Sequence, residues 1–348
     1  MARIYPDISY GFTQKQQVDI HEPEDYNFVN QSGPDPKGVV IYLHGGGWAA
    51  GDKADGPLMP PCLGGGDDKA QCSIMADQGW VVISANYDLL GPDPDPDPCP
   101  ALAPRGDGYA PENILQIARL IRFLAIPGYA TGANQATWEL MNRYVLTRGL
   151  MVTGGSAGGH LAIAGAFQAA DDTGGYWPRG MLTFVGPMDI FPSPENPVSP
   201  FGQSIIDAYT LSSEAKQKEA SPYWRRDDYA TYPGFNLLAD PDQRQVKTHV
   251  TFWYNTNDTL TPDTSILRFR DWALDQLGPG YALTTAVTEG VPDPDSHNIT
   301  TSISGAVLPM TNQVFYQGLN YPNVQQKLRP TQGMVYPRPL IYRYPRSE

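Results

Sequence analysis

The segment Val152-Thr153-Gly154-Gly155-Ser156-Ala157-Gly158-Gly159-His160 constrains this chain more than any other. An apolar run enters it and a small-residue stretch leaves it, so it reads as a strand that turns straight into a helix. A turn that tight admits only small residues beside its tip, which is why glycines and an alanine flank the serine. Ser156 at the tip is thereby held clear of the sheet, at the positive end of the following helix. A glycine-rich strand-to-helix turn can also cradle phosphate. Here no P-loop lysine follows and the glycines bracket a serine, so the pattern points to a nucleophile.

The rest of the chain supplies the sheet that such a turn needs. Val39–Leu43, Val81–Ala85, Leu150–Thr153, Leu182–Val185, Val250–Tyr254 and Leu283–Val287 are short, almost continuously apolar runs, as expected of strands covered on both faces. Between them, Ile114, Ile117, Ala118, Ile121 and Ala125 recur at helical spacing, with Arg119 and Arg122 on the opposite face. Residues 157–170 and Thr264–Leu277 are two further helices by the same reading. Alternating strands and helices predict an α/β chain with a mostly parallel sheet.

No internal repeat or change of composition divides the sequence, so 1–348 reads as one domain, with a catalytic core over about 37–320. Residues 55–73, 91–104 and 191–247 are insertions, the last of them a candidate lid or cap, and 322–348 is a Pro-rich tail. The run Pro92-Asp93-Pro94-Asp95-Pro96-Asp97-Pro98 excludes helix and central strand. Its aspartates alternate with prolines and lack the geometry of a calcium loop, so a solvated loop is expected and no metal site.

A formal net charge of −13 repels phosphate backbones and argues against a nucleic-acid partner. No apolar run reaches the roughly eighteen residues of a membrane span. The start lacks the pattern of a signal peptide, which leans the expectation toward the cytoplasm, although a mature secreted chain would look alike. The 3 cysteines, Cys62, Cys72 and Cys99, have no zinc-ligand spacing; a Cys62–Cys72 bridge with Cys99 left over is one arrangement. Three glycosylation sequons begin at Asn30, Asn257 and Asn298, and two adjoin candidate catalytic residues, so they read as chance matches.

A second motif, His44-Gly45-Gly46-Gly47-Trp48, follows the strand Val39–Leu43 directly. Its glycines can turn backbone N–H groups toward a single point, which is what a developing oxyanion requires. Gly46, Gly47 and the N–H of Ala157 are the candidate donors. A serine alcohol also needs a base, and the chain has 5 histidines. His44 braces the glycine turn, His160 packs beneath the serine, His249 opens a strand at the far end, and His21 lies in the N-terminal approach, before the sheet core. His297 remains, in a loop past the last strand, where the carboxyl ends of parallel strands assemble sites. The orienting carboxylate is expected between Ser156 and His297 in the chain, and Asp258 lies just beyond the strand Val250–Tyr254. Asp263 is the runner-up but reads as a helix cap, while Asp293 and Asp295 shape the loop of His297.

With these residues in hand, the chain resembles the hormone-sensitive-lipase-like branch of the α/β-hydrolases. It is most similar to bacterial acetyl xylan and feruloyl esterase-like and kynurenine-formamidase-like members. The resemblance rests on His44 to Lys53, on Gly155-Ser156-Ala157-Gly158-Gly159-His160-Leu161-Ala162, on Ala220-Ser221-Pro222, and on the Asp258 and His297 segments. It implies an α/β-hydrolase fold of about eight mostly parallel strands, and cofactor-free hydrolysis of small or medium acyl or aryl esters through an acyl-enzyme. An amidase, formamidase or lactonase would use the same triad, and a ligand receptor on the same scaffold is the reading from another class. The small-molecule substrate is the expected partner, with the chain a monomer or homodimer. Trp48, Tyr87, Phe191, Phe201 and Trp224 are candidates to line the substrate pocket.

Overall fold

Three central strands are buried over their whole length and a fourth at all but its last residue, and a strand buried on both faces must be paired on both edges and covered by helices. The computed structural model describes residues 2–11, 13, 15–26, 36–55, 72, 75–90, 108–129, 134–173, 176–178, 180–232, 249–255, 258, 260–277 and 283–288. In chain order these form β1 (Arg3–Ser9), β2 (Gln17–Glu22), β3 (Val39–Leu43), β4 (Val81–Ala85), α1 (Glu112–Ala125), α2 (Gln135–Arg148), β5 (Leu150–Gly155) and α3 (Ala157–Asp172). There follow β6 (Gly180–Phe184), α4 (Pro200–Thr210), α5 (Glu214–Ala220), α6 (Arg226–Tyr229), β7 (His249–Asn255), α7 (Asp263–Leu277) and β8 (Leu283–Thr288).

The strands make one mixed sheet in the order β1-β2-β4-β3-β5-β6-β7-β8. From β4 to β8 all neighbours are parallel, while β2 joins β4, and β1 joins β2, antiparallel. The register fixes where the site forms. Leu43, the last residue of β3, pairs with Gly154, so the turn after β3 and the turn after β5 emerge side by side. Gly155 pairs with Phe184, and Asn255 with Thr288, which brings the ends of β6, β7 and β8 to the same edge.

All six strands read from apolar runs are present, as are the three helices read from spacing and small residues. Helix α1 buries Ile114, Ile117, Ala118, Ile121 and Ala125 as its spacing requires, and packs on α3. The structure adds an antiparallel pair that the apolar pattern does not announce. His21 lies within β2 of this pair, ahead of the parallel core, and is buried at 3% exposure. Lys53 ties this pair down, with its Nζ 2.9 Å from both Asp7 and Asp19.

The described part of the 191–247 insertion, 191–232, carries the helices α4, α5 and α6. Cys72 is a buried thiol, pushed up to about 12 by desolvation. Among the described residues, no helix is long and apolar enough to cross a membrane. The Asp/Pro run, the tail, Cys62, Cys99, Asp293, Asp295 and His297 lie outside the described residues.

Candidate active site

A single residue, Ser156, separates β5 from α3, and the backbone must reverse there. It does so with φ 53° and ψ −122°, a conformation that costs a residue with a side chain about 1–3 kcal/mol. Two backbone bonds hold it: Ser156 N donates to Phe184 O at 2.7 Å, and His160 N donates to Ser156 O at 3.0 Å. The flanking glycines are required by contact. A methyl group on Gly158 would lie 2.2 Å from Leu43 O, and one on Gly154 would lie 2.5 Å from the carbonyl carbon of Gly158. Ser156 itself stays half-buried, reachable from solvent at the tip of the turn.

The glycine turn after β3 packs against this elbow. A methyl group on Gly45 would meet Gly155 O at 3.1 Å and Ser156 Cβ at 3.5 Å. Beyond it the backbone passes through three left-handed residues, Gly46 at φ 107°, Gly47 at φ 60° and Trp48 at φ 60°. Gly46 O accepts from Ala49 N and Ala50 N, both at 3.1 Å, which closes the turn. Behind it, the buried His44 ring stacks on Tyr87 with centroids 4.4 Å apart, and the Tyr87 hydroxyl donates to His44 O at 3.0 Å.

His160 is committed to structure. His160 is fully buried, its Nε2 donates to Ala220 O at 2.7 Å, and desolvation pulls its pKa down to about 4. It is therefore neutral and already bonded near pH 7. His249 is the first residue of β7, at the strand end remote from the elbow. On the acid side, Asp258 is 7% exposed, and its Oδ1 accepts from Leu260 N at 2.8 Å and Thr261 N at 2.9 Å. This turn fixes the carboxyl group against the backbone. Asp263 is the first residue of α7 rather than its cap.

The aromatic candidates divide into groups. Trp48 and Tyr87 are buried at 3% and 0% exposure, so they form the floor behind the glycine turn and present no open surface. Phe191 and Trp224 meet edge to face at 5.3 Å, with the Lys218 ammonium over both rings. Trp224 Nε1 also donates to Asp189 Oδ1 at 3.0 Å. Phe201, at the start of α4, is 64% exposed and joins neither group.

Two features near the site escape the sequence reading. Asp189, in the loop after β6, is buried and bonded by the Phe191 N–H, Trp224 and Arg268. Burial pushes its carboxyl up to about 6, against the pull of those partners. Ser265 of α7 accepts from Met188 N and Asp189 N and so fastens this loop to the segment that follows Asp258. A lone Asp after a strand gives no sequence signal for such a network. The second feature is Ile205 of α4, whose Cγ2 would lie 3.1 Å from a methyl group on Gly47. Among the described residues, no group of three or more His, Cys, Asp or Glu is placed to hold a metal ion.

No family model and no curated protein matches this chain. Solved structures do. A bifunctional GH43-CE chain from Bacteroides eggerthii superposes with a TM-score of 0.56 at 17% identity, over 90% of this chain. This chain spans only 35% of the length of that one. Thermogutta terrifontis esterase 2, in a form phosphonylated by sarin, superposes with a TM-score of 0.50 at 16% identity, over 83% of this chain and 84% of the esterase. The α/β fold described above is thus one that esterases share.

Proposed function

We propose that this chain is a serine carboxylic ester hydrolase of the α/β-hydrolase fold, with Ser156 as nucleophile, His297 as base and Asp258 as orienting acid. The observation that carries the reading is the strained Ser156 at the strand-to-helix tip, backed directly by the Gly45–Gly47 turn. Strain kept at one accessible serine, with glycines imposed by contact on both sides, is the geometry an exposed nucleophile needs. The N–H groups of Gly46, Gly47 and Ala157 are the proposed oxyanion donors. Likeness to a sarin-phosphonylated esterase adds support from a fold of the same kind.

In this reading Ser156 Oγ bonds to the ester carbonyl carbon while its proton passes to His297. The carbonyl oxygen takes the negative charge in the oxyanion hole. Collapse of that intermediate breaks the bond to the leaving oxygen, which takes the proton from His297. Water, deprotonated by the same histidine, then bonds to the acyl carbon; collapse breaks the bond to Ser156 Oγ, which takes that proton back as the acid leaves.

The test compares wild type with Ser156→Ala on p-nitrophenyl acetate and butyrate, alongside labelling by a fluorophosphonate. Turnover and labelling in the wild type, both lost in the variant, are expected. A folded wild type that shows neither would overturn the reading.

A further inference from the structure

The loop that follows β6 is bonded at one end to the turn of Ser156 and at the other to the turn of Asp258. At its start, Phe184 O accepts from Ser156 N at 2.7 Å. The next residue, Val185, takes a left-handed backbone at φ 46°, which a branched side chain adopts only under constraint. That constraint is visible at Gly186, where a methyl group would lie 2.6 Å from both the carbonyl carbon of Gly159 and His160 N. Further on, the loop meets one face of α7. Ser265 Oγ accepts from Met188 N at 2.9 Å and Asp189 N at 2.8 Å, and donates to Asp189 O at 3.1 Å. One turn along the same helix, Arg268 Nη1 donates to Asp189 Oδ2 at 2.7 Å. The Asp189 side chain is wholly buried, and its other oxygen accepts from Phe191 N and Trp224 Nε1, both at 3.0 Å. Ser265 N donates to Pro262 O at 3.0 Å, closing the turn that follows Leu260 and Thr261, whose N–H groups hold Asp258.

We propose that Asp189 is a positioning residue for ester hydrolysis, which through its ion pair with Arg268 sets where the acid Asp258 stands relative to the nucleophile Ser156. This rests on the ester-hydrolase reading above and adds a residue to its machinery. The turn of Asp258 lies between β7 and α7, so its place depends on how the start of α7 is fixed. The apolar side of α7, with Ile266 and Phe269 buried, holds the helix against the core, where Phe269 meets Phe252 of β7. Apolar burial is not directional, so it sets the depth of the helix and not its position along the sheet. Ser265 and Arg268, three residues apart and therefore on one face, supply the directional bonds, and both end on Asp189. A misplacement of about 1 Å in such a constellation costs about 100-fold in rate. The acid acts by orienting the base, so its displacement lowers kcat and leaves substrate binding in place.

The experiment measures kcat and KM for p-nitrophenyl acetate and butyrate in wild type, Asp189→Asn, Arg268→Met and the double variant Asp189→Asn/Arg268→Met. Fluorophosphonate labelling taken to completion counts the active serines, and every assay is run well below the variant's unfolding midpoint in urea. Asp189→Asn keeps an oxygen for Phe191 N and Trp224 Nε1 and removes the charge. The double variant leaves no charge of this pair buried and unmatched, so it keeps the test decisive if a single variant does not fold. In each single variant kcat is expected to fall about 10- to 100-fold on both esters, with KM within about threefold of wild type. The double variant should lose about as much as one single variant, because all three break the same interaction. A kcat unchanged within about threefold in the labelled variants, a loss confined to KM, or losses that multiply in the double variant would each overturn the inference and leave the hydrolase reading standing. A wild type that neither labels nor turns over would overturn the hydrolase reading, and this inference with it.

Discussion

Trp48 lies flat on Tyr209, with ring centroids 4.2 Å apart and ring planes within 3° of parallel. The two residues come from distant parts of the chain. Trp48 is the left-handed residue that ends the glycine turn, and Tyr209 is on α4, in an insertion that the apolar pattern leaves unassigned. The His160 ring meets Trp48 edge-on at 5.3 Å from the other direction. An indole held between two rings cannot swing, so the unusual backbone of the glycine turn is held in place by packing from α4 and α3.

Removing that packing should separate stability from geometry. In Tyr209→Phe the stack remains, and Asn113 Oδ1 loses its donor inside the protein, a cost of about 1–2 kcal/mol with turnover nearly unchanged. In Tyr209→Ala the stack is lost as well, and the cavity brings the cost to about 3–5 kcal/mol. Urea unfolding of both variants measures the difference. Ester turnover of Tyr209→Ala, assayed well below its unfolding midpoint, should fall further than that of Tyr209→Phe, because the glycine turn has lost its backing. Equal turnover in the two folded variants would show that the turn holds itself.

Ser156 is expected to carry its function at a cost in stability. With φ at 53° and ψ at −122°, its backbone is in a region that glycine enters freely and other residues do not. Ser156→Gly should therefore unfold at higher urea concentration than Ser156→Ala, by an amount in the range of about 1–3 kcal/mol, while neither turns over ester. A glycine variant no more stable than the alanine variant would show that the elbow is not strained.

His160 gives the folded state a dependence on acid. Burial holds its folded pKa near 4, below the ordinary imidazole value of 6.5, so between those values the unfolded chain binds the extra proton. Its contribution is present in full above pH 6.5 and is lost as the pH falls through about 4. The shift corresponds to a loss of roughly 3 kcal/mol across that window. Urea unfolding of wild type and His160→Gln from pH 4 to 8 tests this. The wild type should lose stability toward acid more steeply than the variant, and parallel slopes would mean that His160 is not the group responsible.

The order of motifs along the chain left most of the parallel sheet legible. Runs such as Val39–Leu43 and Leu150–Gly155 are apolar without interruption because both faces are covered, so their signal is dense and local. The antiparallel pair was not legible for the opposite reason. β1 (Arg3–Ser9) contains Pro6, is exposed at most positions, and shifts register between Tyr5 and Ile8, beside the left-handed Asp7. Its partner β2 carries Asp19 and His21 into buried positions, and there Lys53 bonds the Asp19 carboxylate. Helix α2 (Gln135–Arg148) also gives no clear amphipathic stripe to read.

What the sequence determined by itself is the elbow and the turn beside it. Gly154, Ser156 and Gly158, with His44 to Trp48, are short-range patterns whose geometry follows from the absence of side chains at fixed positions. The tertiary structure decided which residues stand over them. Nothing local to Ile205, Tyr209 or Asp189 distinguishes them from core or surface filler, because their surroundings are contributed by segments distant in the chain. Ile205 meets Gly47, Tyr209 meets Trp48 and Asn113, and Asp189 meets Arg268 only after the strands have registered and the helices have packed. Backbone conformation is written in neighbouring residues, whereas contact across the fold is written only in the packing.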